Sequence, residues 1–597
     1  MKSTLRLSEL LIALVLLLTS CQVDDGVSGN GNQNENIPDS FTSYFGNAIS
    51  RDFLGKVIDK NDNPIWGVTI TIGNQTTETD VNGVFILRDA NVYERFGYIK
   101  AEKAGYIHGS RSVVPSNGTN KVTIMLLEET VIGTVSSGSS DTVTVDDGSS
   151  VSFDGNFVKE DGTAYTGSVN VIMHHLDPTD EDMEAQMPGM LYAQNEDGAE
   201  RMLQTFGMLA VKLRGSSGED LNLAEGSTSE IKIPVDATLL ASAPATIPLW
   251  YFDEETGYWK EEGQATLQGN MYVGTVSHFS YWNFDVQGGM VTLCITVTDP
   301  EGNPLSDINL AINSQSFGTE NSYTNELGEA CGLTPINDIL TVDVISSSTC
   351  GSTIIYTENI GSIATDTSIT IVIDDNNDII QDTVLGTFNT CDDTPVIDGY
   401  VELTYGEETY IDIVTDGIFE INLLRCSSDD TFSIKGVDYT NLQTTDDISF
   451  TFTTPITDIG MLLACSSVEE FVQITINDGD PKFDFDDITV TFTEIPNNIY
   501  PVTHMLQING GSDGLEGISY NLKVWSIAPD FVGTYYVDDT SFTGGPWGNP
   551  QVGAITLLNF NVLGEVGEYV DLSFNGFITS DNGVQPMSCI MHVIRDE

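Results

Sequence analysis

Beyond residue 50 the chain alternates. Runs such as Val68-Thr69-Ile70-Thr71-Ile72 and Val169-Asn170-Val171 set apolar residues at every second position, and Gly, Asn and Asp separate one run from the next. A period of two gathers the apolar set on one face of a pleated strand, so these runs predict half-buried strands joined by tight turns. Only the segment from Asp177 to Met187 predicts a helical turn. Many short strands at regular spacing predict an all-β fold of tandem β-sandwich domains. Two stretches break the alternation. Leu10 to Leu18 is a continuous apolar run too short to span a bilayer. Residues 22–50, with Gly29-Asn30-Gly31-Asn32-Gln33-Asn34, have no apolar period and predict a flexible tether.

Composition narrows what such domains do. With 597 residues and 40% hydrophobic content, the chain has material for several cores and is not a disordered polymer. Its 88 acidic and 22 basic residues give a net charge of −66. That surface repels phosphate backbones, so nucleic acid is excluded as a partner. Screening by a salty exterior or by divalent cations would offset the self-repulsion, and calcium suits oxygen ligands best. Beyond Cys21 seven cysteines follow (Cys294, Cys331, Cys350, Cys391, Cys426, Cys465 and Cys589), with no CxxC pair. The pattern predicts some disulfides in an oxidising compartment and at least one unpaired thiol, with the pairing left open.

Lys2 and Arg6, the apolar run and then Leu18-Thr19-Ser20-Cys21 describe an export signal with a cysteine at the cut site. Leu-Thr-Ser-Cys resembles the bacterial lipobox, which implies a diacylglyceryl group on Cys21. Its acyl chains would hold the protein to a membrane at about 0.8 kcal/mol per buried methylene. Gln22-Val23-Asp24-Asp25 resembles the acidic export tag of surface lipoproteins in the Bacteroidetes, which implies an outer-membrane, surface-exposed location.

Repeats appear within the β pattern. Residues 55–72 run through Asp59-Lys60-Asn61-Asp62-Asn63-Pro64 into a second strand and then Thr79-Asp80-Val81-Asn82-Gly83. Residues 294–333 follow the same scheme, with Asp299-Pro300-Glu301-Gly302-Asn303-Pro304 and Thr324-Asn325-Glu326-Leu327-Gly328. Residues 52–128 resemble the carboxypeptidase regulatory-like domain, a transthyretin-like sandwich, and 290–375 resemble a divergent copy. The stretch 131–287 resembles the module of cartilage intermediate layer proteins through Met187-Pro188-Gly189-Met190, Pro248 to Trp259, and Ser277 to Asn283. Asp416-Gly417-Ile418-Phe419 echoes the Asn82-Gly83-Val84-Phe85 turn. The expected plan is a signal peptide (1–20), lipidated Cys21 with its tether (21–50), a regulatory-like sandwich (51–130) and a cartilage-intermediate-layer-like domain (131–288). A second regulatory-like sandwich (289–380), a further β-sandwich (381–480) and a C-terminal one (481–597), transthyretin-like or Ig-like, complete it.

Candidate chemistry is sparse. None of the six histidines (His108, His174, His175, His278, His504, His592) has the glutamate spacing of a zinc peptidase, and there is no GxSxG elbow on a strand-to-helix turn and no Gly-rich phosphate loop. His174 and His175 are adjacent on a strand and point to opposite faces, which predicts one buried and one exposed ring and no shared metal. Asp374, Asn376 and Asp378 alternate like calcium ligands, but Ile379 stands where a calcium loop needs glycine, so an acidic linker is preferred to a calcium-stiffened one. His278-Phe279-Ser280 resembles the self-cleaving step of ZU5-type domains. That resemblance implies Ser280 as nucleophile, the Phe279 carbonyl as target and His278 as proton carrier. Trp250, Trp259 and Trp282 read as core residues, and Trp547, in a Gly-Pro loop, is the candidate sugar-stacking residue.

The sequence thus predicts a non-enzymatic, membrane-anchored surface lipoprotein acting in adhesion, glycan binding or scaffolding, with no required cofactor beyond possible calcium. Its partners would be glycans or surface proteins. Self-cleavage at Phe279–Ser280 and an unrecognised carboxylate glycan hydrolase in the C-terminal third are the alternatives.

Overall fold

The computed structural model describes residues 40–597 except 181, 347–350, 375–378, 407, 427–430, 442, 468–470, 477–481, 485–487, 495–503, 512–518, 527–534, 544–550, 553–556, 564–568, 581–582 and 597. Tyr44–Glu597 forms one compact unit, and Met1–Ser43 is assigned to another. The described chain is almost wholly strand; its one α-helix is the single turn Met183–Gln186, inside the segment expected to hold one.

The first sandwich shows why the sequence pattern closes as it does. Ala48–Ile58 lies between Val84–Tyr93, antiparallel, and Thr119–Met125, parallel. A four-stranded sheet of Gln75–Glu78, Thr69–Ile72, Gly97–Glu102 and Gly109–Val113 faces it. Alternate residues of both sheets, among them Phe53, Val57, Ile70, Ile72, Phe85 and Ile99, fill the core between them.

The same topology recurs twice. Met290–Thr298 sits between Glu329–Pro335 and a parallel Thr367–Val372, opposite a sheet ordered Gly318–Tyr323, Asn309–Ser314, Ile339–Ile345, Ile354–Ser362. Ile379–Thr390 sits between Ile418–Cys426 and a parallel Ile456–Ala464, opposite a sheet that begins Glu408–Ile413, Gly399–Tyr405, Thr431–Asp438. One corner repeats in all three: Ile58 bridges Pro64, Thr298 bridges Pro304 and Asn389 bridges Pro395. Beside each proline a glycine carbonyl accepts from the first strand, Gly83 from Val57, Gly328 from Val297 and Gly417 from Phe388, each at 2.8 Å. All three glycines have positive φ. In the first two copies a buried threonine pins the corner: Thr79 Oγ1 donates to the Ile65 carbonyl at 2.7 Å and Thr324 Oγ1 to Leu305 at 2.6 Å.

Residues 131–288 build a larger system of fourteen strands around two cores. Trp250, Trp259 and Trp282 are completely buried there, as expected of them. Residues 471–594 build a ten-stranded sheet with a separate core. Cys294 is bonded to Cys331 and Cys391 to Cys465, Cys426 is also disulfide-bonded, and Cys589 is a buried free thiol.

The sandwiches are consecutive in sequence but not strung out singly, because the first one touches three others. Toward 131–288, Ser112 Oγ donates to the Gly257 carbonyl at 2.8 Å and Tyr281 Oη to the His108 carbonyl at 2.9 Å. Ile107 and Leu127 also enter the core that holds Trp250 and Trp259. Toward 290–372, Glu326 Oε1 accepts from the Thr119 amide at 2.8 Å and Lys121 Nζ meets Asp307 Oδ1 at 2.5 Å. Toward 379–464, Leu54, Val84 and Ile86 pack with Tyr400, Ile413 and Val437.

Candidate functional site

Several expected site residues lie outside the described residues: Cys21, Asn376, Asp378 and Trp547. Asp374 is described and exposed. Among the described residues no group of three or more His, Cys, Asp or Glu is arranged to hold a metal ion.

The His278-Phe279-Ser280 step joins strands Met271–Val276 and Tyr281–Gly288. The turn is held from the side by Asn222, whose Oδ1 accepts from the Phe279 amide at 2.8 Å while its Nδ2 donates to the Phe279 carbonyl at 3.2 Å. Phe279 itself is buried, its ring 5.5 Å from that of Phe153. Ser280 Oγ donates to the Phe252 carbonyl at 2.7 Å. His278 is turned elsewhere: its ring meets Tyr251 edge-on at 4.7 Å and Trp282 at 5.1 Å, and its Nε2 lies 3.6 Å from Glu262 Oε2. The structure therefore brings together a carbonyl, an amide donor able to stabilise negative charge on it, and an adjacent hydroxyl. It does not bring the imidazole onto that hydroxyl. None of the three residues has a positive φ.

His174 and His175 depart from the expectation of one buried and one exposed ring. His175 Nδ1 pairs with Asp147 Oδ2 at 2.8 Å and its side chain is only 8% exposed. His174 receives a hydrogen bond from Lys60 on Nδ1 at 3.2 Å, so its Nε2–H donates to the Glu128 carbonyl at 2.8 Å. Burial pushes the His174 pKa down, with Lys60 adding to the effect. Both rings are thus structural, and His174 fastens the first sandwich to 131–288.

A dense polar cluster lies where the first sandwich meets residues 379–464. Asp80 sits in the turn before Gly83, with Oδ1 accepting from the amides of Asn82 at 2.9 Å and Val84 at 2.8 Å. Its Oδ2 accepts from Tyr400 Oη at 2.8 Å and Tyr439 Oη at 3.3 Å. Burial pushes the Asp80 pKa up against these bonds. Arg88 donates to the Val414 carbonyl at 2.8 Å beside it. One of 88 acidic residues is thereby made an interface anchor. The repeat in the sequence marks its turn but nothing marks its partners.

No family model matches the chain. It is similar to cartilage intermediate layer protein 2 of Mus musculus, 32% identical over 116 residues, which is 19% of this chain and 10% of that protein. It is also similar to cartilage intermediate layer protein 1 of Sus scrofa, 30% identical over 111 residues, 18% of each chain. The likeness is local. The chain spans about a tenth of the length of the first curated relatives it matches. Among solved structures, a Streptococcal ancillary pilin aligns with 37% of this chain and 95% of its own at 11% identity and a TM-score of 0.13. BcpA, the major pilin subunit of Bacillus cereus, aligns with 70% of this chain and 100% of its own at 8% identity and a TM-score of 0.12. Scores of that size carry no argument about this protein. Among the described residues no helix is long and apolar enough to cross a membrane.

Proposed function

We propose that this chain is a non-enzymatic surface lipoprotein, anchored through acylated Cys21, that displays a stiff assembly of β-sandwiches for attachment or scaffolding. The single observation that carries this is the bonding of the first sandwich to three others by buried side chains, with the Asp80–Tyr400–Tyr439 junction at its centre. A body fixed in that way holds its outward loops at constant separations, as a display scaffold requires. The sequence before it supplies the export signal and a Gly/Asn-rich tether shorter than the expected 22–50, since Ser40–Phe45 forms a 3-10 turn with Phe41 and Phe45 buried and a strand begins at Ala48.

The test is expression of the full chain in a Gram-negative host that exports lipoproteins to its surface, beside Cys21→Ala. Palmitate labelling and protease shaving of intact cells should both report the wild type, and cells displaying it should gain attachment to a host-matrix or glycan-coated surface. Labelling unchanged by Cys21→Ala would overturn the anchor, and attachment equal to that of empty-vector cells would overturn the display role.

One contact favours a second reading, self-cleavage at Phe279–Ser280: the Asn222 side-chain amide on the Phe279 carbonyl stands where an oxyanion would form. Two fragments on a denaturing gel, restored to one band by Ser280→Ala, would select it.

A further inference from the structure

A cleft of about 270 Å³ opens between the 290–372 and 379–464 sandwiches. One side is a single row across the four-stranded sheet. Tyr323, Asn309 and Ile345 are direct register partners on three adjacent strands, so their side chains project to one face. The other side is the start of strand Glu408–Ile413, with Thr409 and Tyr410, and Leu424 closes the floor.

Three properties of this cleft point to a ligand. Asn309 Oδ1 is buried with no hydrogen-bond partner. An unsatisfied buried acceptor costs roughly 1–3 kcal/mol, which a donor from a bound molecule would recover. Tyr323 is 57% exposed at the cleft edge, offering an aromatic face rather than a core contact. Among the described residues the remaining polar lining is rich in acceptors and hydroxyls, from Asp307, Ser346, Glu408 and Thr409, and holds no Lys, Arg or His. Lys121 beside it is held in an ion pair with Asp307.

We propose that this cleft binds one neutral, hydroxyl-rich sugar ring, stacked on Tyr323 and donating a hydroxyl hydrogen bond to Asn309 Oδ1. The volume lies just under the usual range of about 300–1,000 Å³ for ligand pockets, which suits a single ring and not an extended oligosaccharide. A bare cation leaves the aromatic face and apolar floor unused. Sulfated and uronic sugars meet carboxylates without a compensating base, in a chain of net charge −66. The site differs from the Trp547 loop singled out in the sequence. Its chemistry was not legible there, because Asn309 and Tyr323 come together only through strand register.

The experiment is a titration of the full chain, held in a detergent without a sugar headgroup. The probes are methyl glycosides of neutral hexoses and N-acetylhexosamines, with uronic acids as the anionic comparison. Saturable binding of at least one neutral glycoside is expected, at least tenfold tighter than any uronic acid. Tyr323→Ala should weaken it tenfold or more, and Thr409→Trp, an exposed position that fills the cleft, should do the same. Tyr356→Ala, on strand Ile354–Ser362, should leave it unchanged. Absence of saturable neutral-sugar binding, binding that survives both cleft variants, or a preference for the uronic acids would each overturn the proposal. Such a failure leaves the anchored display role untouched, since labelling and attachment are read separately.

Discussion

The carboxylate of Asp80 accepts a 2.8 Å hydrogen bond from the hydroxyl of Tyr400, across 320 residues of sequence. The same hydroxyl receives the Asn82 side-chain amide at 2.8 Å, so one tyrosine closes two polar groups of the Asp80–Gly83 turn. Tyr400→Phe removes both bonds while keeping the ring in its apolar cluster. It should cost about 1–3 kcal/mol, read as a lower melting temperature. Hydrogen exchange should rise at Asp80–Val84 and Gly399–Tyr405 first, and a uniform rise across the chain would contradict the junction's role.

Asp412 lies near Lys121, Asp307 and Glu326 where three sandwiches meet, and burial raises its pKa from 3.8 to about 6. Glu326 and Asp307 push it the same way, while the Glu420 amide and Lys121 oppose them. A raised carboxyl pKa means that the folded state binds the proton more tightly. Its stabilising contribution is therefore full below pH 3.8 and fades as pH rises through about 6. Asp412→Asn should raise stability at pH 7.5 by roughly 1–2 kcal/mol after allowance for solvent screening, and change it little at pH 3.5. Melting curves of both proteins at the two pH values check the sign.

At Gly83 a Cβ would stand 2.5 Å from the Val57 carbonyl oxygen, at a φ of +70°. Strain and collision act together, so Gly83→Ala should destabilise the first sandwich by about 2 kcal/mol or more. Gly105→Ala, at a φ of +85° with open space around it, meets the strain alone and should cost less. Equal losses at the two positions would refute the repeated corner as a close-packed feature.

Cys589 is buried, and burial raises its thiol pKa far above the ordinary value. Since the thiolate is the reactive form, alkylating reagents should leave Cys589 intact in the native protein and label it only on unfolding. Native-state labelling within minutes, followed by peptide mass analysis, would contradict its burial.

The strand pattern was legible because alternation survives wherever one face is buried, as in Val68 to Ile72. The first two copies of the repeated sandwich were legible as well, since the steps from Asp59 to Pro64 and Asp299 to Pro304, and from Thr79 to Gly83 and Thr324 to Gly328, keep their spacing. The third copy announces itself only through Asp416-Gly417. Its corner reads Cys391-Asp392-Asp393-Thr394-Pro395, without the Asp-to-Asn spacing of the others, yet Asn389 still bridges Pro395. What the corner needs is the proline and the glycine, and the rest can drift. The junction partners were not legible at all. Tyr400 and Tyr439 look like any strand tyrosines, and Asp80 like any turn aspartate, until the fold sets them face to face. The histidine pair shows the same limit, because Lys60, Glu128 and Asp147 approach from turns and links distant in sequence and order both rings.

In the 379–464 sandwich the first and last strands run parallel, and the disulfide between Cys391 and Cys465 joins the chain just beyond their C-terminal ends. A pull transmitted along the backbone enters at Ile379 and leaves after Cys465. It therefore has a covalent path across the sulfur bridge that skips the loop between the two cysteines. Within that loop Cys426 is itself disulfide-bonded and gives the load a second covalent route. The first sandwich has no such shunt. Its parallel ladder from Asp52 to Ile58 must resist by shear, with its rungs strained together rather than unzipped one by one.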